Sequence, residues 1–185
     1  MLYLIRHTRP DIAPGICYGQ LDVELTNSFE TEADAVANHL SSLNLIITSP
    51  LLRTRKLAEH LARHCDMRVD ARLMEKHFGV WEGRAWNDIA RCEIDAWAAD
   101  VMGYAPQGGE SAQQVMQRVQ AFMHDAVQLP QQNIAVIAHG GTIRAILALL
   151  ADIPLIDTLN WEIEYGAVIA VRFSGHYTGS QTASE

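Results

Sequence analysis

The sequence predicts an α/β fold of three layers, a mostly parallel sheet flanked by helices on both faces. Three observations predict it. Short apolar runs recur along the chain, at Leu2–Ile5, Leu45–Thr48, Ile134–Ala138 and Ala167–Phe173. Stretches between them carry apolar residues at helical spacing. Strands joined by helix-length crossovers run parallel and are covered on both faces, so they read as continuous apolar runs. With 185 residues, 49% of them apolar, the chain has material for one well-buried core, and a single domain over residues 1–173 is expected.

Leu2–Ile5 is the first expected strand. A loop rich in Pro and Gly follows (Pro10, Pro14, Gly15, Gly19), then a helix with Ala33, Val36, Ala37, Leu40 and Leu43 on one face. After the strand Leu45–Thr48, Ser49 reads as an N-cap and Pro50 as the first helical residue of a helix running to about His64. That helix buries Leu57, Ala58, Leu61 and Ala62. A short strand is expected within Arg68–Leu73, a loop from Glu75 to Trp86, and a helix around Trp97. Ser111 with Gln114 forms a capping box ahead of the apolar stripe Ala112, Val115, Met116, Val119, Phe122, Met123 and Ala126. Ile134–Ala138 is a strand, Gly140 and Gly141 a turn, Thr142–Ala151 a helix and Ala167–Phe173 a last strand. The small polar stretch 174–185 has too few apolar residues to dock and is expected to be a flexible tail.

The net charge of −8 argues against a nucleic-acid partner, and any anionic ligand must be met by positive groups gathered in one pocket. The apolar start is interrupted by Arg6 too early for a signal peptide or a membrane span, so no membrane partner and a cytoplasmic location are expected. Cys17, Cys65 and Cys92 are odd in number, widely spaced and form no C-x-x-C, and they read as free thiols.

Ligands of open α/β sheets bind outside the carboxyl ends of the strands. The first strand here ends in Arg6 and His7, the second leads to Arg53, and a later one ends in His139, Gly140 and Gly141. Arginine presents a planar fork of donors that matches phosphate oxygens, and the free N–H groups of helix starts add positive potential. Neutral His7 can attack phosphorus, and Glu75, at the start of a glycine-containing loop, can protonate a leaving oxygen. Taken singly, His7 reads as a hydrogen-bonded histidine, and Arg53 and Glu75 as solvated surface residues. Together they describe an anion cradle with a nucleophile and an acid. His60 and His64 have the spacing of helical metal ligands, but without further donors they read as a solvated face, and no metal or other cofactor is expected.

Four segments in order carry a family resemblance: Leu4-Ile5-Arg6-His7-Thr8, Thr48-Ser49-Pro50-Leu51-Leu52-Arg53-Thr54, Leu73-Met74-Glu75 with Phe78-Gly79-Val80-Trp81-Glu82-Gly83, and Ala138-His139-Gly140-Gly141. Together they resemble the Arg-His-Gly, second-arginine, proton-donor and second-histidine motifs of the histidine phosphatase superfamily, which includes the cofactor-dependent phosphoglycerate mutases. The resemblance implies that His7 becomes a phosphohistidine, that Arg6, Arg53 and His139 bind the phosphoryl group, and that Glu75 donates the proton. It also implies that no metal takes part. Cys17-Tyr18-Gly19-Gln20-Leu21-Asp22 and Gly108-Gly109-Glu110-Ser111 look most like the α-ribazole phosphatase branch, placing Tyr18, Gly19 and Gly140 against the substrate, a small phosphorylated metabolite. A phosphatase or mutase for another such metabolite, and a noncatalytic phosphate-ligand binder, remain as alternatives. Thr8 replaces the usual glycine, Ala13 stands where a phosphate-binding asparagine is expected, and Glu82 is assigned to structure.

Overall fold

The structure is a computed structural model and describes residues 1–63 and 65–172. His64, Phe173 and the expected tail 174–185 lie outside the described residues. Strands β1 (Leu2–Arg6), β2 (Leu45–Thr48) and β4 (Ile134–Ala138) form the centre of a five-stranded sheet in the order β3-β2-β4-β1-β5. β3 (Asp66–Val69) pairs parallel to β2 on one edge, and β5 (Val168–Val171) pairs antiparallel to β1 on the other. The helices are α1 (Phe29–Ala37), α2 (Leu52–Leu61), α3 (Arg91–Ala99), α4 (Ala112–Ala126) and α5 (Gly140–Ala151).

Strand alternation sorts the core into two layers. Leu2, Leu4, Leu45, Ile47, Val136 and Ala138 pack against Val119 and Phe122 of α4 and Ile143 and Ile146 of α5. Their neighbours Tyr3, Ile5, Ile46, Ala135 and Ile137 pack against Ala33 and Val36 of α1 and Leu57 and Ala58 of α2. These two layers with the sheet between them are the three layers expected. A third apolar cluster, Cys17, Trp81 and Ile89 with Phe78, Trp86, Trp97 and Tyr104, gathers the Gly79–Trp81 and Trp86–Asp88 turns and α3.

Several local expectations are corrected. α2 starts at Leu52, with Leu51 and not Ser49 at its N-cap. The capping acceptor comes from elsewhere, because Leu52 N–H donates to Asp22 Oδ1 at 2.8 Å and Ser49 is held by a histidine described below. α1 ends at Ala37, and Leu40 and Leu43 join the core from the segment behind it. Gly140 and Gly141 are the first turn of α5 and not a separate turn. β3 begins at Asp66, earlier than expected, because an exposed edge strand carries no apolar run to mark it. His60 is no solvated ring: with its side chain 10% exposed it lies 2.9 Å from Asp34 Oδ1 and 3.3 Å from Glu30 Oε2, tying α2 to α1.

The capping box on α4 is present in both directions. Gln114 N–H donates to Ser111 Oγ at 3.1 Å, and Ser111 N–H donates to Gln114 Oε1 at 2.8 Å. Replacing Ser111 with alanine is expected to destabilise the fold by about 1 kcal/mol, read as a lower urea midpoint at unchanged slope. An unshifted midpoint would show that α4 holds its start by packing alone.

Candidate active site

The ladder continues past the last strand residues and carries the site with it. Arg6 N–H donates to Ala167 O at 3.1 Å, His7 N–H to Ala138 O at 3.2 Å and Ser49 N–H to Ile137 O at 3.1 Å. The carboxyl ends of β1, β2 and β4 are thereby locked side by side, and the His7 and His139 rings meet with centroids 5.1 Å apart.

His7 is buried, and its Nδ1 lies 2.7 Å from the Thr8 carbonyl. A carbonyl only accepts, so Nδ1 carries the proton and Nε2 is the free lone pair. Burial first, then the charges of Arg53 and Arg6, hold its pKa well below the ordinary 6.5, against the opposing pull of the Thr8 bond. His139 is buried beside it, with Nε2 2.9 Å from Ser49 Oγ. Burial, and next the charge of Arg53, lower its pKa as well. Both rings are neutral near pH 7.

Arg53 has no exposed surface. Its guanidinium donates to Gly19 O at 2.5 Å and Leu21 O at 3.1 Å. Burial lowers its pKa, and the charges of Glu75, Asp22 and Glu82 pull the other way. Arg6 donates from Nη1 to Ile163 O at 2.6 Å, and its Cζ stands 3.9 Å from the centre of the Tyr165 ring. Arg6 Nε, Arg53 Nε, Thr8 Oγ1 and His139 Nδ1 are buried without a partner in the protein. Buried polar atoms are almost always paired, and a cluster of exceptions marks a place built for a polar ligand.

Glu75 is fastened from several sides. Its Oε2 accepts from Gly141 N–H at 2.9 Å, in the first turn of α5, and its Oε1 accepts from Lys76 N–H at 2.9 Å. Arg118 of α4 donates to the carbonyls of Arg72, Met74 and Glu75, and Thr142 Oγ1 also donates to Met74 O. A side chain at position 141 would meet the Glu75 carboxylate, which would have to shift to make room. Glu82 serves differently, accepting from the N–H groups of Gly19, Gln20, Leu21 and Phe78 at 2.6–3.0 Å. Burial alone would raise its pKa, but these donors outweigh burial and the net shift is downward.

These residues surround a cavity of about 530 Å³. Arg6, His7, Arg53, Glu75, His139 and Tyr18 line it, beside Lys76, Arg144 and Tyr165 and an apolar wall that includes Phe78, Trp86 and Trp97. Of the expected substrate contacts, Gly19 and Gly140 do not reach the wall. Gly19 supplies its carbonyl to Arg53, and Gly141 takes the place expected for Gly140. Thr8 is fully buried and stays out of the wall, and Ala13 is exposed. Ser49 is read in the sequence only as a helix cap, its place in the second-arginine segment being the one signal of a role at the site, and nothing local marks Lys76, Arg144 or Tyr165. Among the described residues, no group of three or more His, Cys, Asp or Glu is placed to hold a metal ion, and no helix is long and apolar enough to cross a membrane.

The fold and this cluster define an α/β protein built to hold an anion beside a neutral histidine. The chain belongs to the histidine phosphatase superfamily, whose branch 1 profile matches residues 2–183. It is 32% identical over 200 residues to the glucosyl-3-phosphoglycerate phosphatase of Mycobacterium tuberculosis, covering 95% of this chain and 86% of the relative. Among solved structures it is similar to the α-ribazole phosphatase from Shigella flexneri, with a TM-score of 0.84 at 26% identity, covering 90% of this chain and 87% of that one. It is also similar to YhfR of Bacillus stearothermophilus, with a TM-score of 0.80 at 28% identity, covering 90% and 88%. The chain is a phosphatase of this superfamily.

Two histidines buried neutral link stability to pH. Unfolded, each takes a proton near 6.5, and folded its pKa lies well below that. The unfolded chain therefore binds more protons between those values. Stability is complete above about pH 7 and falls as pH drops through 6.5, by up to about 1.4 kcal/mol per pH unit for each ring. The lowered carboxylates Asp70, Glu82 and Glu110 act in the same direction, at lower pH. Urea unfolding is expected to give equal stability at about pH 7.5 and 8.5 and a clear loss at about pH 5.5. A flat profile would mean that the rings take up protons in the folded protein as readily as in the unfolded chain.

Proposed function

We propose that the chain hydrolyses phosphomonoesters through a phosphohistidine on His7. One observation carries the reading: the Thr8 carbonyl fixes the proton on Nδ1, leaving the Nε2 lone pair of a buried, neutral ring among unpaired cationic donors. Nε2 attacks phosphorus, and the bond from phosphorus to the ester oxygen breaks. Arg6, Arg53 and His139 neutralise the phosphoryl oxygens. In this reading the Ser49 hydroxyl donates to His139 Nε2, which leaves the proton on Nδ1 and makes it a donor to the phosphoryl group. Protonated Glu75 gives its proton to the leaving alkoxide, then as a carboxylate takes one from the water that cleaves the phosphorus–nitrogen bond, releasing phosphate and neutral His7.

As substrate we propose α-ribazole 5′-phosphate, as the sequence reading expects. The likeness to the Shigella flexneri enzyme supports it. So does the wall of Phe78, Trp86 and Trp97, which suits a leaving group carrying a planar ring. Lys76 and Arg144 in the same cavity favour a second reading, an anionic leaving group such as a phosphoglycerate derivative.

His7→Ala is expected to lower kcat by about 10⁴-fold or more, and Glu75→Gln by about 10²–10⁴-fold, with activity of the wild-type chain retained in EDTA. Brief reaction with substrate should leave an acid-labile phosphate on His7. Phosphate on serine, or loss of activity in EDTA, would overturn the mechanism. A kcat/KM for α-ribazole 5′-phosphate no better than for a phosphoglycerate derivative would overturn the substrate, and phosphate binding without turnover of any ester would make the chain a noncatalytic binder.

A further inference from the structure

Residues 163–167 wrap the Arg6–His7 dipeptide from the far end of the chain. The Ile163 carbonyl accepts from Arg6 Nη1 at 2.6 Å, and the Tyr165 ring faces Arg6 Cζ at 3.9 Å. Gly166 N–H donates to His7 O at 3.1 Å, and Ala167 O accepts from Arg6 N–H at 3.1 Å. The Tyr165 ring also lies 5.5 Å from the His7 ring, and its hydroxyl pairs at 2.7 Å with that of Tyr18, from the loop after β1.

We propose that Tyr165 is a positioning residue for the phosphate cradle, acting through the face of its ring on Arg6. The single bond from Nη1 to Ile163 leaves the guanidinium free to turn about it. A ring whose face lies against the guanidinium carbon limits that freedom. A carboxylate at the same place would hold the arginine too, but it would neutralise the charge and occupy the donors that phosphate needs. An aromatic face holds the plane while leaving charge and donors available, among them Nε, which is buried and unpaired. This inference rests on the reading of the His7 site as a phosphate site.

Affinity of the full chain for inorganic phosphate, measured by titration calorimetry, separates the parts. Tyr165→Leu is expected to weaken phosphate binding about tenfold, while Tyr165→Phe, which keeps the ring, stays within about twofold of wild type. The same order is expected in kcat/KM for an aryl phosphate. Phosphate binding by Tyr165→Leu at wild-type strength would overturn the proposal. So would a Tyr165→Phe defect as large as that of Tyr165→Leu, which would place the effect in the hydroxyl pair. Tyr165→Met replaces the leucine variant if thermal melting shows the latter unfolded. Absence of wild-type turnover would remove the hydrolase reading while the phosphate comparison still decides the role of Tyr165, and absence of wild-type phosphate binding would overturn both.

Discussion

A guanidinium with no exposed surface must find in the protein what water would otherwise supply, and the organisation around Arg53 follows from that constraint. Its solvation comes from backbone, the carbonyls of Gly19 and Leu21. The N–H groups of Gly19, Gln20 and Leu21 meanwhile point at Glu82. This loop is therefore a layer of aligned peptide dipoles between a carboxylate and a guanidinium. The acid adds to the stronger pull of Glu75 and Asp22 on the cation without touching it. Direct pairing would consume the donors and quench the charge, whereas compensation through peptide groups leaves Arg53 positive and facing the cavity.

The same economy governs the rest of the site. Net charge over the whole chain is −8, yet the cavity floor holds two arginines and two neutral imidazoles. Burial keeps the rings uncharged, so the positive charge there is fixed by arginine, which does not titrate near neutrality. A phosphoryl group held there as proposed would meet permanent cations and hydrogen-bond donors, beside a ring whose lone pair is not lost to protonation.

How much of this was legible depends on how local the cause is. The three central strands could be read because burial on both faces demands apolar runs, and His7, Arg53 and His139 because a strand end is where a parallel sheet delivers chemistry. Ser49 looked like a helix cap because capping is read from adjacent residues, but Asp22, distant in sequence, took that role and left the serine to His139. Arg118 lies inside an amphipathic helix, off its apolar stripe, where nothing adjacent marks it, yet it holds the carbonyls on which Glu75 is mounted. The acidic partners that tie His60 to α1 are likewise invisible from α2 alone.

Arg6, beside His7, is clasped by Ile163, 157 residues further along, and Tyr18 meets Tyr165 across 147 residues. β5, which brings this segment home, is antiparallel and on the sheet edge, docking beside β1 rather than between strands. Sheet assembly around β1, β2 and β4 can therefore run ahead of active-site assembly. On a ribosome emitting the chain from its N-terminus, Arg6 and His7 emerge well before residues 163–167, so the pair is enclosed only after that later segment has been made.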